Sequence, residues 1–157
     1  MNWKLKRFNE LEIEEIYKIL MIRNKVFIVE QKCAYQDCDN KDKNSYHLYL
    51  DDNGEIVAYL RILEKGISYE ETSIGRLLVN KKYRNNGIAR EMITKAINFI
   101  EETLMQTQVR ISAQVYLIKF YTSIGFKEVS KPYLEDDIPH IEMLDRKSTR
   151  LNSSHPL

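Results

Sequence analysis

The residues with the clearest chemical potential lie in a short polar segment that leads directly into a helix. The segment consists of Arg84, Asn85, Asn86, Gly87, Ile88 and Ala89. A helix N-terminus exposes unpaired backbone N–H groups and the positive end of the helix dipole, so this junction can hold a phosphate group. Gly87 provides backbone freedom at the tightest point of the turn. The alternative is an ordinary strand–turn–helix connection without a ligand, because glycine-containing turns often precede helices.

The elements on either side must position this segment. Residues 72–80 predict a strand, because a group of apolar residues is bounded there by polar ones. Residues 88–100 predict an amphipathic helix, because apolar residues recur at three- and four-residue steps. The G-x-G-x-x-G spacing of dinucleotide-binding loops and the Gly-Lys-Ser/Thr of P-loops are both absent from the segment. The sequence therefore favours a different kind of phosphate-binding loop.

The whole chain predicts the order β-α-β-β-β-α-β-α-β-β without an internal repeat. The predicted strands cover residues 2–8, 46–50, 56–63, 72–80, 109–113, 126–130 and 138–143. The predicted helices cover residues 11–29, 88–100 and 114–124. This order indicates an α/β fold in which helices flank a central mixed sheet of about seven strands.

Composition restricts the function. The chain has 157 residues with 43% hydrophobic and 30% charged residues, typical of one globular domain. A net charge of +1 gives no signal for nucleic acid or membrane binding, and we expect a cytoplasmic protein. Cys33 and Cys38 lie in one polar segment with too few further ligands for zinc, so we interpret both as ordinary thiols and expect no metal site.

The polar segment 30–43 is long and lacks periodicity, and such loops in compact domains are more often functional than accidental. A solvated linker is the alternative. Arg61 and Arg76 stand among apolar strand residues. Because a buried arginine needs a carboxylate partner, we expect structural ion pairs for both.

The C-terminal residues 145–157 show no apolar periodicity and predict no contribution to a core. Their sequence resembles a translated sequencing-library adapter, so we interpret them as a non-native tail. The expected domain therefore covers residues 1–144, with a native chain that continues a few residues further.

The spacing Arg84-x-x-Gly87-x-Ala89 resembles the R/Q-x-x-G-x-G/A signature of the GNAT superfamily of N-acetyltransferases. Residues 1–144 as a whole resemble its ElaA-like branch. The matching segments include Val26-Phe27-Ile28-Val29-Glu30-Gln31, Tyr35-Gln36-Asp37, Ile74-Gly75-Arg76, Phe120-Tyr121-x-x-x-Gly125-Phe126 and Ile138-Pro139-His140-Ile141. One departure is Ala34, where these relatives usually carry proline.

The resemblance implies that the fourth and fifth strands splay apart and that acetyl-CoA enters the gap as co-substrate. The residues that it places against acetyl-CoA are Leu77, Leu78, Val79, Arg84, Asn85, Asn86, Gly87, Ile88, Ala89, Arg90 and Gln114. It further implies a backbone N–H near Leu78 or Val79, freed by a β-bulge, that polarises the thioester carbonyl.

Tyr121 resembles the superfamily tyrosine that protonates the departing thiolate, and the alternative is a packing aromatic. Three residues are candidates for the base: Glu30, His47 and His140. The implied activity is acetyl transfer to a primary amine of a small molecule or peptide. A catalytically silent protein that binds acyl-CoA or a partner is the alternative. A homodimer is compatible with the exposed edge strands of such folds.

Overall fold

A computed structural model of the chain describes residues 1–147. Within them, eight strands form one mixed sheet: β1 (Asn2–Arg7), β2 (Ser45–Asp52), β3 (Glu55–Leu63), β4 (Thr72–Val79), β5 (Gln108–Gln114), β6 (Lys127–Glu128), β7 (Tyr133–Glu135) and β8 (Ile138–Arg146). Three α-helices accompany the sheet: α1 (Ile13–Arg23), α2 (Ile88–Glu102) and α3 (Ile118–Ile124). A π-helical segment, Asn24–Glu30, continues α1.

The strand order is β1-β2-β3-β4-β5-β8-β6, and β7 also pairs with β8. Every neighbouring pair is antiparallel except β4 and β5. These two parallel strands pair only at their first residues, Thr72 with Val109 and Ser73 with Arg110. Beyond that point they separate, which confirms the expected splay between the fourth and fifth strands.

The expected connection between the last two strands contains a strand that the sequence analysis missed. β7 and β8 form a hairpin whose turn residues, Asp136 and Asp137, have φ values of +50° and +63°. Two consecutive residues in the left-handed region are typical of a tight hairpin turn. The preceding strand, β6, is correspondingly shorter than expected.

The two faces of the sheet are covered by different helices. The stripe predicted on α2 is buried, and it consists of Met92, Ile93, Ala96, Ile97 and Ile100. On the other face, Ile19 and Ile22 of α1 pack with Tyr49, Tyr59 and Leu78. Among residues 1–147, no helix combines the length and apolar character that a membrane span requires.

The buried face of α1 differs from the predicted one. Ile13 and Tyr17, expected in the apolar stripe, are 86% and 68% exposed, whereas Arg23 is completely buried. The helix turns this way because carboxylates of the following loop surround the Arg23 guanidinium. After Arg23 the change to π-helical winding keeps Phe27 buried.

The predicted end of the domain after Leu144 is also wrong. β8 continues through Asp145, which is buried opposite Val109, and Arg146, which pairs with Gln108. The cause is the length of β5, because its first residues offer backbone partners to two further residues of β8. The rest of the proposed non-native tail, residues 148–157, lies outside the described residues.

Two truncations test this boundary. Truncation after Lys147 leaves the β5–β8 ladder complete, so we expect an unchanged melting temperature. Truncation after Leu144 removes two paired residues and is expected to lower the melting temperature by roughly several degrees. Calorimetric scans of both variants beside the full chain check the difference. If the shorter variant melts with the full chain, Asp145 does not contribute to the fold.

Candidate active site

A cavity of about 520 Å³ occupies the gap where β4 and β5 separate. Gly75, Arg76 and Leu77 of β4 form one wall, and Ser112 and Gln114 of β5 form the other. The polar segment before β2 and the hairpin β7–β8 also border this space. The cavity is therefore shaped by the splay of two strands rather than by a single loop.

Tyr121 of α3 lines the cavity together with Gln114. Its ring packs edge-on against Phe120 and Phe126, so the expected aromatic packing is present as well. Burial raises the pKa of the Tyr121 phenol above its ordinary value. The phenol consequently keeps its proton at neutral pH and is available as a donor.

β4 carries a β-bulge in the wall of the cavity. The register with β3 shifts between Tyr59 and Arg61, so Arg76 and Leu77 together oppose a single residue. Arg76 has a φ of +52°, a left-handed conformation that is costly for a residue other than glycine. A bulge of this kind removes a backbone N–H from the regular ladder.

The bulge lies earlier on β4 than the sequence analysis expected. Leu78 and Val79 are both in register, opposite Tyr59 and Ala58 of β3. The local reason is the left-handed backbone at Arg76, where the extra residue enters the strand. A backbone donor towards the cavity therefore belongs to residues 76–77 rather than to Leu78 or Val79.

The predicted phosphate loop has the geometry of an open helix start. Gly87 is the N-cap of α2 with a φ of +74°, and Asn85 has a φ of +68°. The first regular bond of the helix runs from the Glu91 N–H to the Gly87 carbonyl over 3.2 Å. The N–H groups of Ile88, Ala89 and the next residue, Arg90, precede this bond, so the helix itself supplies no acceptor for them.

Glycine is required at position 87 by conformation rather than by space. A Cβ atom built there meets nothing within 4 Å. The Asn86 side chain donates to the Tyr83 carbonyl over 3.1 Å and braces the turn. The backbone thus remains accessible from outside, as phosphate binding at a helix N-terminus requires.

The side chains of Arg84 and Arg90 are engaged within the protein. Arg84 donates from Nε to the Val79 carbonyl and from Nη2 to Glu30, both over 2.8 Å. Arg90 donates to Ser123 on α3. Glu30 is therefore the ion-pair partner of Arg84, and it is absent from the described lining of the cavity. This placement contradicts its expected role as the base.

His47 is likewise placed away from the reaction space. Its Nε2 lies 2.9 Å from the Asp42 carbonyl and its Nδ1 lies 2.7 Å from the Tyr59 hydroxyl. Because only a ring N–H can bond to a carbonyl, Nε2 carries the hydrogen and Nδ1 accepts from Tyr59. Burial lowers the pKa of His47, so the ring remains neutral and occupied on both sides. His47 cannot face the amine as expected.

The third base candidate lies at the cavity. His140 is 7% exposed and contributes to the lining. It stands on β8 directly opposite Gln114 of β5. Of the three candidates, His140 alone is thus placed where an acceptor could reach it within the described part of the chain.

Comparison with known proteins identifies the family. The sequence model of the acetyltransferase (GNAT) domain matches residues 9–146. The chain belongs to the GNAT acetyltransferase family. It is 37% identical over 147 residues to a UPF0039 protein of Synechocystis sp., covering 93% of this chain and 96% of that protein.

Two solved structures share the GNAT fold closely. An acyl-CoA N-acyltransferase from Pseudomonas aeruginosa is 36% identical with a TM-score of 0.87, covering 92% of this chain and 99% of that one. Escherichia coli ElaA is 34% identical with a TM-score of 0.86, covering 93% and 100%. The resemblance to the ElaA-like branch is confirmed, and the protein is a GNAT-type acyltransferase family member whose fold uses acyl-CoA.

The long polar loop of this GNAT protein is fastened by three arginines. Arg23 and Arg76 bind Asp37, while Arg61 binds Asp39 over 2.5 Å. These contacts confirm the expected structural ion pairs of Arg61 and Arg76. The loop contributes to the cavity wall, so it is more than a solvated linker.

Several cavity residues were not predicted from the sequence. Ser112, Glu135 and Asp136 all line the space, and Tyr133 bonds to Ser112. The available signal was the alternation of Tyr133 and Glu135 before two aspartates, a pattern that indicates one strand face leading into a hairpin turn. Cys33 and Cys38 are free thiols, and residues 1–147 contain no group of three potential metal ligands.

Proposed function

We propose that this GNAT protein transfers an acetyl group from acetyl-CoA to a primary amine of a small molecule or peptide. The observation that carries the proposal is the protonated phenol of Tyr121 inside the gap between β4 and β5. The gap lies in the same sheet as the strand that leads to the open N-terminus of α2. Acyl-CoA offers a thioester for the first feature and phosphates for the second.

Aminolysis of a thioester has three requirements. A neutral amine must attack, the oxyanion needs a donor, and the departing thiolate needs a proton. We assign the oxyanion donor to the backbone of residues 76–77, at the bulge. Tyr121 supplies the proton to the thiolate, and His140 receives the proton that the amine must lose.

The remaining contacts to acetyl-CoA follow from position. The amides of residues 88–90 would hold the pyrophosphate, and the turn from Asn85 to Gly87 would shape its approach. The backbone of Leu77, Leu78 and Val79 would run along the pantetheine arm, with Gln114 across the gap. Arg84 contributes by holding the loop to the end of β4.

Replacement of Gly87 by valine tests the phosphate loop. A β-branched residue is strained at a φ of +74° and narrows the approach to the amides. We expect acetyl-CoA to bind at least about tenfold more weakly, about 1.4 kcal/mol, with the fold retained. Titration calorimetry measures this affinity.

Gly54→Val is the matched control, because Gly54 has a φ of +88° in the β2–β3 turn and does not line the cavity. It carries the same backbone strain without touching the proposed loop. An affinity lost equally in both variants would mean that strain, rather than the loop, weakens binding. An unchanged affinity in Gly87→Val would remove the loop from the proposed site.

The function itself is tested in two steps. Calorimetry first measures acetyl-CoA binding, and a thiol-release assay then measures CoA production over a panel of primary amines. Binding followed by amine-dependent thiol release supports the transferase. Binding without release from any amine would instead support the alternative, a silent acyl-CoA-binding GNAT protein.

A further inference from the structure

One end of the cavity carries a polar cluster from β5, β7 and β8. His140 Nε2 lies 3.5 Å from Oε2 of Glu135, and the other oxygen of Glu135 accepts from the Ser112 hydroxyl over 3.2 Å. Ser112 also bonds to the hydroxyl of Tyr133, whose ring stacks on His140 with centroids 6.3 Å apart. The cluster fixes both the imidazole and the carboxylate in place.

The hydrogen bonds determine the tautomer of His140. Its Nδ1 lies 2.7 Å from the carbonyl oxygen of Ile138. A carbonyl can only accept, so Nδ1 carries a hydrogen. In the neutral ring, Nε2 is then an acceptor with its lone pair directed towards Glu135.

The pair of His140 and Glu135 therefore lacks a hydrogen between its two acceptors. An ionised carboxylate cannot donate, and neutral Nε2 cannot donate either. Their separation of 3.5 Å exceeds the roughly 2.7–2.9 Å typical of an imidazolium–carboxylate hydrogen bond. The geometry leaves both acceptors available to a third group that carries several N–H donors.

We propose that Nε2 of His140 and Oε2 of Glu135 together bind the ammonium group of the acceptor, which is therefore a primary alkylammonium compound. An alkylamine with a pKa near 10 arrives at neutral pH as an ammonium ion with three N–H donors. One donor can bond to the imidazole and a second to the carboxylate. The part of this inference that concerns the reaction rests on the proposed function, whereas the binding site does not.

The proton balance of the reaction is consistent with this site. The ammonium ion transfers one proton to Nε2, and the free amine attacks the thioester carbonyl to form the C–N bond. The C–S bond then breaks, and Tyr121 donates its proton to the thiolate. The amide nitrogen loses its second proton, which restores Tyr121, and the imidazolium releases the first proton to water. The imidazolium formed in between is stabilised by Glu135.

The surrounding charges favour a cationic group at this end. Asp136, next to Glu135, also lines the cavity. The nearest cations of the cavity wall, Arg61 and Arg76, are engaged with aspartates of the polar loop. We therefore expect butylamine to be a better acceptor than an amino acid of similar length whose far end carries a carboxylate.

Binding can be measured without turnover by ring ¹⁵N NMR. With CoA present, butylammonium is expected to shift the His140 Nε2 resonance saturably, while His47 serves as an internal reference because both its nitrogens are engaged. Glu135→Gln is expected to weaken this binding about tenfold or more, as for the loss of a charged hydrogen-bond partner. Tetramethylammonium has the charge but no N–H donor and is expected to produce no shift.

The matched control is Asp137→Asn, which removes a carboxylate from the same turn but from a position that does not line the cavity. It should bind butylammonium like the wild type. The pH dependence of kcat/KM adds a second readout, since a carboxylate beside an imidazole raises its pKa. Besides Glu135, the titratable group facing His140 from β7 is Tyr133, and Gln114 opposite on β5 carries no charge. Glu135→Gln should therefore move the acidic limb of the profile to lower pH.

Distinct outcomes separate this inference from the proposed function. Absence of a saturable shift, equal binding in Glu135→Gln, or equal binding of tetramethylammonium would overturn the ammonium site. Saturable binding without CoA release from any amine would support the site and reject the transferase. Acetylation of amines with an unchanged KM and pH profile in Glu135→Gln would support the transferase and reject the site.

Discussion

Tyr121→Phe is expected to lower kcat by roughly 10²-fold, the usual size of one acid–base contribution. Phenylalanine keeps the ring contacts with Phe120 and Phe126 but removes the hydroxyl proton. Acetyl-CoA affinity should barely change, because donation to the thiolate develops mainly in the transition state. Steady-state kinetics with a turned-over amine, combined with calorimetry, measures both quantities.

Tyr116→Phe is the matched control for this substitution. Tyr116 lies just before α3 and is 74% exposed, so loss of its hydroxyl should affect neither quantity. A normal kcat with weakened acetyl-CoA binding in Tyr121→Phe would make Tyr121 a binding or packing residue. Another proton donor would then have to be found among the cavity residues.

Arg23→Met is expected to destabilise the protein by about 3–5 kcal/mol, as when one partner of a buried ion pair is removed. The Arg23 side chain is completely buried, with Asp37 2.8 Å from Nε and Asp42 2.7 Å from Nη1. Methionine fills similar space, so the loss reports on the uncompensated carboxylates rather than on a void. The melting temperature should fall by roughly 10 °C.

The deficit should depend on pH. Burial opposes ionisation of Asp42, but hydrogen bonds and charge from Arg23 and Arg61 outweigh it and lower the pKa of Asp42. A carboxyl with a lowered pKa stabilises the fold above its unfolded pKa of about 4, and that contribution is lost as the pH falls. The difference between wild type and Arg23→Met should therefore be largest near neutral pH and shrink in acid.

Urea titrations at several pH values measure this difference. Lys25→Met is the matched control, because Lys25 is exposed on the neighbouring π-helical segment and should change stability little. A loss in Arg23→Met no larger than that of the control would mean that the ion pairs are not needed to hold the polar loop. Activity measured on the same variants shows whether the loop also supports the cavity.

Local patterns in the sequence were sufficient where a feature depends on neighbouring residues. The turn at Gly87 and the buried stripe of α2 follow from backbone conformation and helical periodicity, which act over a few residues. The splay of β4 and β5 was expected only from the family resemblance. No residue spacing within either strand encodes where their pairing stops.

Apolar periodicity misassigned α1, because it counts apolar residues and ignores buried charge. Arg23 points inward while Ile13 remains exposed, since Asp37 and Asp42 from the following loop compensate the guanidinium. These partners lie well outside one helical turn. Their position is decided by how the loop folds back against the sheet.

The sequence by itself determined the kind of chemistry: a phosphate-binding helix start, a proton-donating tyrosine and a short set of base candidates. Only the tertiary structure decided which of them meet. His47 and His140 both lie on strands, yet pairing places one against Asp42 and the other beside Glu135 at the cavity. The physical reason is that strand register, including the bulge at Arg76, results from backbone pairing between segments far apart in the chain.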